Sequence, residues 1–293
     1  MANIKREKKS RFKKIVLVFL IASAGLLLSS IAAFYIIPLE LIDSKVKALA
    51  EERAGITITQ SGLRRVFPFG LEADNVEAAF KGHEPFVYID RVRVTPDPLG
   101  LLTGRLKANF KGAFGNGDIG GYAALRFGGG AELKFEALGA EFRGVPVFNR
   151  VVSGLNGSFS GVAEMSLPDG GCPSGTANFK GEGMKGGEIS FRGLPLPLSG
   201  IDGSGLEAVF SNCRIELKGF WLEGSDFSAR LEGVVILSVP IDRSTLDMTL
   251  ELIPKGALLR KEYILSLISD YRKSANYYSI PIKGTIGAPR AGF

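Results

Sequence analysis

Two periodicities divide the chain. Residues Ile15 to Ile37 form an apolar run with no charge, and from about Ile56 onward apolar and polar side chains alternate. A helix rising about 1.5 Å per residue would carry the first run across roughly 34 Å, enough to cross a hydrocarbon core of about 30 Å. The run therefore predicts a transmembrane helix over residues 15–37. A cleaved signal peptide has an apolar region of only about 7 to 15 residues, so a retained anchor is expected in spite of the small residues Ser30-Ile31-Ala32. Within the run Gly25, Ser29 and Ala33 recur every fourth residue, a strip on which another membrane helix can pack closely. Pro38 to Arg53 predicts an amphipathic helix, with Leu39, Ile42, Val46 and Leu49 on one stripe and Gly55 beyond its end.

The later alternation is that of half-buried strands. Leu106, Ala108 and Phe110 alternate with Lys107, Asn109 and Lys111, and Leu246, Met248, Leu250 and Leu252 with Asp247, Thr249 and Glu251. The same beat marks Leu133–Phe135, Ile189–Phe191, Ile215–Leu217 and Phe227–Leu231. Between these runs stand Gly115-Asn116-Gly117-Asp118, Gly128-Gly129-Gly130, Asp169-Gly170-Gly171 and Asp202-Gly203-Ser204-Gly205, which are tight-turn compositions. Helix is expected only at Pro98–Thr103, Val147–Ser153 and Ala257–Tyr271. A weak repeat of short helix and Gly-spaced strands begins at Leu101 and again at Val151. The predicted class is mainly β: an N-terminal transmembrane helix followed by an extended antiparallel sheet. Three short helices cannot cover its apolar face, so the sheet closes on itself, packs on a second sheet or presents a groove. The expected organisation is a basic tail over 1–14, the anchor over 15–37, the juxtamembrane helix over 38–55 and a β-rich domain over 56–293.

Charge changes the picture at one place. The net charge of +6 over 293 residues would raise nucleic acid as a partner. Residues 1–14 alone hold seven Lys or Arg and one acid, and the remainder is balanced at 29 basic and 29 acidic residues. The basicity belongs to the flank of the anchor, where anionic headgroups are its partner and where an excess of Lys and Arg predicts a cytoplasmic side. No nucleic-acid partner is expected, and the bulk of the chain is expected outside. Cys172 and Cys213, the two cysteines, lie beyond the anchor in a compartment that permits disulfides; a disulfide between them and two buried thiols are both open.

Chemistry is scarce. Gly115-x-Gly117-x-x-Gly120 has dinucleotide-binding spacing, but Gly120-Gly121 is a poor helix start and a hairpin is expected. His83, the single histidine, sits in a polar turn without ligand partners. Asp90, Asp202, Asp242 and Asp247 are scattered over turns and strand faces, and no nucleophile with an acid or base can be assembled. No enzyme activity, cofactor or metal is expected. Phe220 and Trp221 form an aromatic cluster open to two readings, sheet core or a contact at an edge or groove; with Ile280 and Ile282, in a closing strand that Pro281 marks as an edge or bulge, they are the candidate partner contacts.

The anchor, the helix ending at Ala54-Gly55, the Gly-spaced array, the late apolar segment with Leu258, Leu259 and Ile264, and the terminal Ile280-Pro281-Ile282-x-Gly284-Thr285-Ile286-x-x-Pro289 together resemble the type II secretion system protein N family (GspN). The terminal Gly-Thr-Ile-x-x-Pro is also similar to the AsmA-like group of membrane-anchored β-groove proteins. The first resemblance implies a non-catalytic accessory protein of protein export in a Gram-negative inner membrane. Its N-terminus would be cytoplasmic, and its periplasmic domain would contact secretion-system components. The second implies a groove that shields the acyl chains of membrane lipids.

Overall fold

The computed structural model describes residues 25, 29, 31–80, 82, 84–146, 156–169, 171–185, 188–191, 194–197, 200–238, 243–286 and 288–291. The basic tail, most of the 15–37 run, His83, Asp242 and the predicted helix at Val147–Ser153 lie outside them. Among the described residues no helix is long and apolar enough to cross a membrane. Gly25, Ser29 and Ala33 are helical and exposed.

Alternation becomes sheet. Strands β1 (Ile56–Val66), β2 (Gly70–Phe80), β3 (Pro85–Asp97), β4 (Arg105–Phe114), β5 (Gly117–Arg126), β6 (Ala131–Glu141), β7 (Asn156–Leu167) and β8 (Ser174–Lys185) pair in chain order, each antiparallel to the last. The order then skips a separate hairpin, β9 (Glu188–Phe191) with β10 (Leu194–Pro197). It resumes with β11 (Ile201–Ser211), β12 (Arg214–Gly224), β13 (Phe227–Ile236), β14 (Thr245–Pro254) and β16 (Tyr277–Thr285). Two short strands, β15 (Arg272–Ser274) and β17 (Ala288–Ala291), share the outer edge of β16. Neither edge pairs with the other, so the sheet is open; it is not a barrel. Gly115 and Asn116 form the β4–β5 hairpin, with Gly115 at φ 64°, so the Gly-x-Gly spacing is turn chemistry.

A meander of this kind has two ends, and they differ. At one end the buried side chains Phe142, Met184, Ile201, Leu222, Phe227, Leu252, Leu258, Ile268, Tyr278 and Ile280 form one cluster, roofed by the chain between β14 and β15. A second cluster, Phe114, Ile119, Ala137 and Ala140, continues it under β4 to β6. We call this the capped end. The roof departs from the single helix expected over Ala257–Tyr271. It is a 3-10 turn at Leu258–Arg260, a short helix and a second 3-10 turn at Ser269–Tyr271. In one straight helix Leu258 and Ile268 would stand about 15 Å apart and roughly 80° round the axis. The breaks let both reach the same cluster.

At the other end lie the turns β1–β2, β5–β6, β7–β8 and β11–β12, with helix α2 (Pro98–Leu102) between β3 and β4. Helix α1 (Leu39–Ala54) runs back along β1 from this open end. Arg65 donates to the Ile37 carbonyl, Gln60 donates to Asp43 at 2.7 Å, and Gly55, left-handed at φ 65°, turns the chain into β1 at the capped end. Phe34 packs edge-on to Phe69 with ring centroids 6.0 Å apart. The chain preceding α1 therefore arrives at the open end.

Candidate functional site: the apolar face of the sheet

Residues paired directly across antiparallel strands share a face, so the register builds rows. One row runs from Pro96 through Ala108, Ala123, Leu133 and Met165 to Gly175, and on through Phe210, Ile215, Val235, Leu246 and Gly284 to Pro289. It crosses from β3 to β17 without a charged side chain. The neighbouring row pairs Leu106 with Leu125, Leu125 with Ala131 and Ala131 with Leu167. At about 4.8 Å per strand this row covers roughly 15 Å of apolar surface.

Phenylalanine rings fill the middle of the face. Phe110 stacks toward Phe135 at 6.4 Å between centroids, Phe135 lies tilted against Phe179 at 6.2 Å, and Phe179 meets Phe159 edge-on at 6.1 Å. Glycines stand opposite these rings. Gly121, at φ 148°, pairs with both Phe110 and Phe135, and a Cβ there would lie 2.9 Å from Phe110 Cζ. Gly161 stands opposite Phe179 in the same way, and a Cβ on it would lie 2.6 Å from the ring. Sequence reasoning assigned glycine to turns and missed this use. The signal available was a lone glycine inside a strand, where a neighbour approaches closely.

Cover over this face runs out toward the open end. Leu258 and Ile280 at the capped end are each 1% exposed, whereas Leu125 on the same face is 56% exposed. Leu106, Leu133 and Leu167 are exposed beside it.

The opposite face is charged and paired. Arg64 holds Asp74 at 2.6 Å and also Glu72, while Arg91 holds Asp74 at 2.9 Å. Arg105 and Arg126 share Glu132, and Lys134 bridges Glu136 at 2.9 Å and Glu164 at 3.2 Å. Hydrogen bonds from Arg64 and Arg91 hold the Asp74 carboxyl below its usual range, and Arg126 does the same for Glu132. Lys255 and Ser228 lower Glu223, and Glu251, accepting from Tyr277 at 2.6 Å, raises the phenol. All these groups are on the polar face.

The predicted contact residues fall apart in space. Phe220 packs against the capped cluster, while Trp221, one residue on, lies half-exposed on the polar face over Gly203 and Gly205. They form no common patch, because successive strand residues face opposite ways. Ile280 is corrected outright: it is core. Ile282 pairs with Met248 on one side and Ala291 on the other. β16 is flanked on both sides, with Pro281 in the gap between the stretches that pair with β15 and β17. Asp90 accepts from Gly115 N–H at 2.6 Å and so braces a hairpin. Among the described residues no three His, Cys, Asp or Glu side chains stand together as a metal would need.

Cys172 and Cys213 form a disulfide with Cα atoms 4.8 Å apart. It lies at the open end, just before β8 and just after β11, paired neighbours that the β9–β10 hairpin separates in the chain. The closed loop contains β8, the β9–β10 hairpin and β11.

No protein-family model, curated protein or solved structure matches the chain.

Proposed function

We propose that the chain is a non-catalytic protein of the Gram-negative inner membrane, tethered through Ile15–Ile37, whose periplasmic sheet shields acyl chains on its apolar face. The observation that carries this is the wet apolar row Leu106, Leu125 and Leu167 with Leu133 beside it, continuous with a phenylalanine-lined floor. Leaving such side chains in water forgoes about 25 cal/mol per Å² of burial, and a lipid tail on the face recovers it. The full chain, purified in detergent and examined by native mass spectrometry, should carry lipid. Leu125→Glu with Leu133→Glu should remove that lipid without unfolding the capped end. Lipid-free wild-type protein sinks the reading.

A second reading, an accessory role in type II secretion through protein contacts, draws on the polar face. There Arg91, Arg93 and Lys111 border a depression of about 900 Å³ that also takes in the exposed Leu138 and Val162. Exposed apolar residues rimmed by charge suit a protein contact. A photo-cross-linker in place of Leu138 should capture a secretion-system component in intact cells. Normal export from cells lacking the chain counts against it.

A further inference from the structure

Turn residues at the open end are unusually apolar. Phe67 between β1 and β2, Leu99 in α2 and Phe127 between β5 and β6 are each 69% exposed. They come from separate connections, and none of them packs on the sheet as a core residue would. Ile236 and Ile286, at the last turns of the sheet on the same side, are also exposed.

Exposure alone does not choose an occupant, since Tyr263 and Leu267 in the roof of the capped end are each 64% exposed. The path of the chain chooses it. Tyr35, Ile36 and Ile37, the last residues of the uncharged run, are exposed at the open end, where the Arg65 guanidinium lies 5.7 Å from the Tyr35 ring and donates to Ile37. A bilayer crossed by that run lies against these turns and far from the roof. The adjoining charges agree with this. Arg105 and Arg126 share one carboxylate, Glu132, beside Phe127, which leaves a positive charge for an anionic headgroup.

We propose that the open end of the sheet stands on the membrane, with Phe67, Leu99 and Phe127 inserted at the boundary between headgroups and acyl chains. Aromatic and leucine side chains partition to that depth, with cations beside them in the headgroup layer. The sheet then rises from the bilayer on its apolar turns, and its uncovered apolar face begins at the membrane surface. The inference rests on the tether reading above.

The test uses the full chain in vesicles of phosphatidylethanolamine and phosphatidylglycerol. With Trp221→Phe as background, Phe67→Trp, Leu99→Trp, Phe127→Trp and, at the capped end, Tyr263→Trp are made one at a time. Lipids brominated near the carbonyl end of the acyl chain should quench the three open-end probes and shift their emission to the blue, leaving the Tyr263→Trp probe unchanged. Lipids brominated near the terminal methyl should quench them less, which separates shallow insertion from capture of a tail on the sheet. A chain that fails to float with the vesicles overturns the tether and the docking together. A chain that floats with open-end probes no more quenched than Tyr263→Trp overturns the docking alone.

Discussion

The two ends of the sheet are held by different means. At the capped end the chain folds back over its own apolar face, and Leu258, Ile268 and Ile280 disappear into one cluster. At the open end the same face continues uncovered through Leu125, and the structure instead carries a covalent link, Cys172–Cys213, across the join of β8 with β11, which the β9–β10 hairpin separates in sequence. A face kept free cannot be stabilised by burying it. The difference teaches where stability and function part: burial holds one end, while a crosslink and backbone pairing hold the other.

The largest effect should follow from cutting the crosslink. Closing a loop of 41 residues in sequence contributes about 4 kcal/mol in the chain-entropy account. Cys172→Ser with Cys213→Ser should lower the unfolding free energy by about that amount. Amide exchange should accelerate first near the β7–β8 and β11–β12 turns. Faster exchange at the roof residues instead would break the comparison, since it would place the weak point at the capped end.

Next comes the core. Leu258→Ala should cost about 3 kcal/mol in denaturant unfolding, because a fully buried leucine leaves a cavity. Leu125→Ala, on the same face at the open end, should cost less than about 1 kcal/mol. Equal costs would mean that the open face is covered in solution. Between them stands Gly121→Ala, where a Cβ meets Phe110 and the backbone of β6; about 2 kcal/mol is expected for overpacking.

Much of the architecture was legible because a period of two is a local signal. Leu106, Ala108 and Phe110 against Lys107, Asn109 and Lys111 read as β4, with the correct face inward, and Gly115-Asn116 read as its hairpin. Faces were less legible where apolar residues cluster in sequence: Phe220 and Trp221 are neighbours in the chain and lie on opposite sides of the sheet. Glycine was read as punctuation, yet Gly121 and Gly161 serve the strand interior, since the ring each one admits belongs to another strand. Ile280 was read as an edge residue because Pro281 follows it. Two short strands on one side of β16 and a gap at the proline permit a proline in a flanked strand, and nothing local announces that arrangement. The candidate site itself was legible only as a class, an apolar face too large for its helices. Which end stays open depends on where residues 257–271 fold back, and that is set by tertiary packing of Leu258 and Ile268.

The smallest effect concerns the polar face, and there the two ends should agree. Asp74 and Glu132 toward the open end and Glu223 at the capped end are all held below the usual carboxylate range, each because of a cationic partner. A carboxyl lowered in the folded state stabilises the fold fully above its unfolded pKa, and the contribution is lost as pH falls through the lowered value. Stability should therefore be flat from neutral pH to about pH 5 and decline below it, by little, because exposed pairs are screened by water and salt. Arg126→Gln should flatten the part of that decline due to Glu132, and Lys255→Gln the part due to Glu223. Exchange protection should fall at both ends together as acid is added. If acid loosened the open end alone, its ion pairs would be carrying load there that the capped end assigns to its core, and the asymmetry would extend through both faces of the sheet.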